Sequence, residues 1–126
     1  MKDLKEELLQ VDIDFSALSK ANGMNYAFLV YAHPDAVFLR DKAYPLVGKN
    51  KIRELFESRG DSGYTLTWSP LYADVASSGE LGYSYGIYEM KSGDEISKGT
   101  YVSVWKKDKK GQWRWVLDSG NEGLGE

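Results

Sequence analysis

At 126 residues, 42% hydrophobic and 28% charged, the chain has the size of one domain, residues 1–126, with room for a substantial core. Its net charge of −3, with acids and bases interspersed, offers no basic stripe for nucleic acid. The absence of cysteine excludes disulfides and thiol nucleophiles. The single histidine, His33, leaves too few soft ligands for zinc or copper, so neither a metal nor another cofactor is expected.

The first ten residues, MKDLKEELLQ, are acidic and amphipathic, unlike a secretion leader. No apolar run approaches the roughly 20 residues that cross a bilayer. A cytoplasmic protein is expected, although a signal peptide already removed would leave no trace. Leu4, Leu8, Val11, Phe15 and Leu18 recur at steps of four and three, which predicts a first helix with Lys5, Glu6, Glu7 and Asp12 turned away from the core. Asn22 and Gly23 interrupt it, and MNYAFLVYA predicts a second, short helix stopped by Pro34. AVFLR (36–40) is predicted as a strand and DKAYPLVG as a loop. KNKIRELFES is predicted as a third helix, with Ile52, Leu55 and Phe56 on its apolar face. His33, at the end of the second helix, reads as an exposed residue with carbonyls to cap.

The rest reads as strands. YTLTWSPLYADVA, ELGYSYGIYEM, ISKGTYVSVWKK and QWRWVLDS are rich in aromatic and β-branched residues and are separated by SSG, KSGDE and KDKKG, each a hairpin signal. Trp68, followed by Pro70, marks the place for a bulge. Helices followed by a meander predict an α+β domain with helices on one face of an antiparallel sheet. Thr100, Val102 and Val104 alternate with Tyr101, Ser103 and Trp105, so neither face carries the charges of a water-facing side. A homodimer through the outer face, around Tyr83, Tyr85, Thr100, Val102 and Trp113, is the expected cover.

In their order, SKANGMNYAFLVYAHPDAVF, GKNKIRELF, GELGYSYGIYEM and GTYVSVWKKDKKGQWRWVLDSGN resemble the ketosteroid isomerase and nuclear transport factor family, in its SnoaL-like branch of bacterial proteins. The resemblance covers nearly the whole chain. It implies a cone-shaped curved sheet wrapped around the N-terminal helices, in the order α-α-β-α-β-β-β-β, with a pocket inside the cone and a homodimer outside. Isomerases, cyclases, dehydratases and association domains share that fold. Isomerase chemistry in the family uses an aspartate base, with a tyrosine and a protonated aspartate as oxyanion donors. Alignment of ANG, PDAVF, KIRELF and the third meander strand puts these roles at Arg40, Ser16 and Ser103, none of which supplies them. Asp41 is the one substitute base.

If Ser103 faces the cone, so do Tyr101 and Trp105. A four-residue turn DKKG then pairs Lys107 with Gln112 and sets Arg114, Val116 and Asp118 opposite Trp105, Ser103 and Tyr101. In the preceding strand the same alternation puts Ser84, Gly86 and Tyr88 inside. The candidate catalytic pair is Asp118 and Tyr101, with Arg40, Trp68, Ser84, Tyr88, Ser103, Trp105 and Val116 as candidate ligand-binding residues. Two readings stand at this point. In one the cone holds a small, partly apolar molecule. In the other it is filled by its own aromatics, the chain is an association module, and Asp118 only ties down the chain end or pairs with Arg40 or Arg114.

Overall fold

The computed structural model describes residues 3–125. Helix α1 (Leu4–Asn22) starts where the Asp3 carboxylate accepts the Lys5 N–H at 2.9 Å, with Glu6 and Glu7 at its electropositive end. It stops at Gly23, whose φ of 95° suits a residue without Cβ, and α2 (Met24–Tyr31) leaves at once in a new direction. Strand β1 (Ala32–Leu39) begins four residues before the predicted AVFLR and runs through Pro34, with a bulge between Ala32 and Val37. Pro34 therefore ends the helix as predicted, but the chain passes straight into extended structure.

After the two-residue strand β2 (Leu46–Val47) and helix α3 (Lys49–Ser58) come β3 (Thr65–Val75), β4 (Leu81–Ser92), β5 (Glu95–Lys107) and β6 (Trp113–Glu122). They form one six-stranded sheet in the order β2-β1-β6-β5-β4-β3. The sheet is mixed, because β1 lies parallel to β6 while the meander is antiparallel. In β3 the pairing shifts between Pro70 and Tyr72, the bulge that Pro70 foretold.

The buried stripe of α1 is Leu8, Asp12, Phe15, Ser16 and Ser19. This corrects the expectation that Asp12 is turned away: its side chain is fully buried. The serines have a structural task. Ser16 Oγ accepts the Trp68 N–H at 2.8 Å and Ser19 Oγ donates to the Leu66 carbonyl at 2.5 Å, so α1 satisfies backbone groups on the outer edge of β3.

Inside the sheet's curve, Phe15 meets Trp68, Tyr31, Phe28 and Trp105 at ring-centroid distances of 4.6, 4.8, 5.0 and 5.7 Å. Trp105 Nε1 donates to Ser84 Oγ at 2.9 Å and Trp115 Nε1 to the Phe28 carbonyl at 3.0 Å, so the indoles are buried with their polar edges satisfied. Each such side chain contributes about 1.5–3 kcal/mol of burial.

The last hairpin departs from its predicted pairing. Asp108 Oδ1 accepts the N–H groups of Lys110 and Gln112, and these backbone bonds, Gln112's first, hold its carboxyl below the usual range. The turn takes five residues, and Lys107 pairs with Trp113 rather than Gln112. Trp113 and Trp115 then face the helices. A bulge between Val104 and Trp105 absorbs Val116 and flips the alternation, so Ser103 pairs with Asp118 and Tyr101 with Gly120. Asp118 reaches the inner face by this combination, not by the straight alternation from Arg114 and Val116. Trp113, 4% exposed, is thereby removed from the outer face on which a dimer contact was expected.

Candidate functional site

The cone is not filled. A cavity of about 200 Å³ lies between α2, the end of β1 and the inner faces of β3 to β6. Its walls are Met24, Phe28, Phe38, Leu66, Trp68 and Met90, its floor is Tyr101, Ser103 and Asp118, and Arg40, Asp41, Tyr88, Gly120 and Glu122 surround the mouth. Of the sequence candidates, the cavity brings together Asp118, Tyr101, Arg40, Trp68, Tyr88 and Ser103. Ser84 and Trp105 are bonded to each other deeper in the core, and Val116 is spent on the bulge, so these three do not line it. Tyr88 sits across from Gly99, where a Cβ would collide with its ring, so the glycine is what lets the phenol lie flat at the mouth.

Two buried acids differ in their surroundings. Asp12 accepts Trp68 Nε1–H at 2.8 Å on one oxygen and the Tyr101 hydroxyl at 2.7 Å on the other. Burial raises its pKa, and the donors Tyr101, Trp68 and Ser84 pull it back. The same arrangement holds the Tyr101 phenol far above its ordinary range, by burial first and then by the Asp12 carboxylate. Among the described residues Asp118 has one partner, the Ser103 hydroxyl, which donates to it at 3.0 Å. Burial pushes Asp118 up to about 8, with the Asp12 charge adding to the rise and Ser103 opposing it. Two donors thus hold the Asp12 carboxyl, whereas burial favours the protonated form of Asp118.

Neither arginine pairs with Asp118. Arg114 turns outward to Asp108 at 3.5 Å and lies 5.9 Å over the Tyr31 ring, while Arg40 has no carboxylate within ion-pair distance among the described residues. The Arg40 Nε is buried and without a partner. His33 Nδ1 accepts the Asp35 N–H at 3.1 Å, away from the cavity lining. Among the described residues no three of His, Asp and Glu converge closely enough to hold a metal ion, and no helix is long and apolar enough to cross a membrane. Asp12 is the lining's hidden support, missed because an acid within a charged helix reads as solvent-facing. The available signal was its place in the run Leu8, Asp12, Phe15, Ser16, Ser19, all on one helical stripe.

No family model matches the sequence, and no curated protein does. Solved structures match it over nearly its whole length. A ketosteroid isomerase-like protein of Erwinia carotovora atroseptica is 15% identical with a TM-score of 0.69, covering 94% of this chain and 98% of its own. A nuclear transport factor 2-like superfamily protein of Salmonella enterica is 18% identical with a TM-score of 0.70, covering 98% and 96%. A protein of Novosphingobium aromaticivorans, described as nuclear transport factor 2-like with a cystatin-like fold, is 14% identical with a TM-score of 0.72, covering 96% and 82%. This chain has the ketosteroid isomerase-like, nuclear transport factor 2-like fold.

Within that fold, the three positions aligned with isomerase chemistry have other occupations here. Ser16 is tied to the β3 backbone. Arg40 stands at the mouth. Ser103 passes its place to the acid directly across the strand pair, Asp118.

Proposed function

We propose that the chain binds a small, partly apolar molecule inside the cone, with Asp118 as the hydrogen-bond donor on the floor. The observation that carries this reading is an unfilled cavity of about 200 Å³ whose floor holds a buried acid with no cationic partner. A fold gains nothing from such an acid. Its natural use is to donate a proton, or a short hydrogen bond, to a carbonyl or oxyanion of a bound molecule. Ser103 donates to Oδ2 and so leaves the acid's own O–H free for the ligand. Tyr101 and Asp12 support this floor, and the walls supply apolar contact. If a proton is moved rather than shared, Asp41 at the mouth is the base within the lining.

The test is a titration with neutral, ring-sized probes followed by NMR. Binding should shift the resonances of Trp68 and Met90, and Gly120→Leu, which lays a side chain across the mouth, should abolish it while leaving the fold intact. Gly120 tolerates a Cβ, its nearest neighbour being a Tyr88 ring carbon at 3.5 Å. Probes that bind equally well to the variant would sink the reading.

A homodimer through the outer sheet face is supported by Tyr72, Tyr83 and Tyr85, exposed at 39%, 39% and 44%, with Tyr72 packed 6.0–6.4 Å from the other two rings. Sedimentation at tens of micromolar should give the mass of two chains, and Tyr85→Glu should return one. A wild-type monomer under those conditions removes the dimer.

A further inference from the structure

Resting on that reading of the cavity, we infer that its ligand carries a carboxylate, held by Arg40, on an apolar body about the size of one aromatic ring. The argument starts from the strand pairing. Phe38 lies beside Asp118 in the parallel β1–β6 pair, and Arg40, just past the end of β1, lines the same cavity. A guanidinium and a carboxyl group therefore line one cavity without pairing with each other.

Arg40 Nε is buried and unpartnered. The guanidinium lines the cavity with no acid in ion-pair distance among the described residues, so an anionic acceptor in the cavity would supply the counter-charge it lacks. Among acceptors, a carboxylate matches the planar fork of arginine with two parallel bonds, and its charge balances a cation that no neighbouring acid balances. The neutral form of Asp118 is compatible with such a guest, since its O–H can donate to the guest's second oxygen.

The body of the guest is set by the walls. Met24, Phe28, Phe38, Leu66, Trp68 and Met90 offer no hydrogen-bonding side chain beyond Trp68 Nε1, which is already given to Asp12. A cavity of about 200 Å³ is somewhat larger than the roughly 150 Å³ that accepts benzene, which leaves room for one small substituent. The competing guest is an amine, drawn by Asp41 and Glu122 at the mouth. Both of these acids are exposed, so water and salt screen them, whereas Arg40 is half-buried. The groups around the guest's charge are thus Arg40, Asp41, Tyr88, Glu122, Tyr101 and Asp118, and Arg40 is the only cation among them.

Benzoate, benzamide and benzylamine test this directly, titrated into the full chain near pH 6.5 and followed by NMR or calorimetry. Benzoate should bind at least tenfold more tightly than either of the others. Arg40→Gln should bring benzoate down to the level of benzamide while leaving benzamide within about twofold. Arg40→Lys, which keeps the charge and loses the fork, should fall between them, and thermal unfolding of each variant checks that the fold persists. Benzamide or benzylamine binding as tightly as benzoate overturns the inference, as does a benzoate preference that survives Arg40→Gln; in those cases the cavity reading stands. Failure of every probe, the neutral one included, overturns both.

Discussion

The two ends of the cone are built from the same alternating strands and come out differently. At the closed end Trp105, Trp115, Phe15 and Leu8 fill the space completely, and the indole N–H groups of both tryptophans have partners. At the open end the inward positions fall to Ser103, Asp118 and Gly120, and the volume their small or polar side chains leave is the cavity. The difference teaches that the curve of the sheet does not decide where a pocket forms. Residue size at inward positions does, and here one bulge at Val116 hands the inward side from tryptophans to an acid and a glycine.

The largest expected effect belongs to the closed end. Trp105→Ala should cost about 3–5 kcal/mol in denaturant unfolding, because the packed neighbours cannot collapse into the space it leaves. A loss under 1 kcal/mol would erase the contrast between the ends. At the open end the sign should reverse. A group whose folded pKa lies above its unfolded value keeps its full stabilising contribution below the unfolded pKa and loses it as pH rises toward the folded one. For Asp118 that window runs from 3.8 to about 8. Asp118→Asn should therefore match wild type near pH 4 and be more stable by a few kcal/mol, in order of magnitude, at pH 8. A variant less stable than wild type at pH 8 would mean that the acid is an anchor.

The smallest effect separates the two acids. Asp12→Asn retains an acceptor for Trp68 Nε1 but sets an amide N–H where the Tyr101 O–H had its acceptor, so its cost should be about 1–3 kcal/mol. Removing that charge takes away one of the causes that raise Asp118, and the Asp118 carboxyl signal should titrate at lower pH by carbon NMR. An unmoved titration would show that the acids are independent.

Much of this fold was legible because each element announced itself locally. The helix period of α1, Gly23, Pro34 and the hairpin turns place the elements in order, and those cues do not depend on distant contacts. The parallel contact of β1 with β6 was not legible, since nothing in AVFLR names a partner strand more than seventy residues away. The site was half legible for the same reason. Tyr101, Ser103 and Tyr88 follow from plain alternation, whereas the position of Asp118 depends on two departures from it. One is the extra turn residue held by Asp108, and the other is the bulge at Val116. Asp12 was hidden because charge on a helix ordinarily faces water, and its burial depends on Trp68 and Tyr101, 56 and 89 residues further on.

The serines of α1 have a consequence beyond holding the helix in place. An outer strand with free N–H and C=O groups is a template on which other chains can add strands and build aggregates. Along β3 the template is interrupted where Ser16 and Ser19 occupy the Trp68 amide and the Leu66 carbonyl, and Pro70 has no N–H to offer. At the opposite border β2 spans two residues, too short to seed growth. Sheet extension is thus hindered at both borders, and the tyrosine-bearing outer face is the surface proposed above for a homodimer.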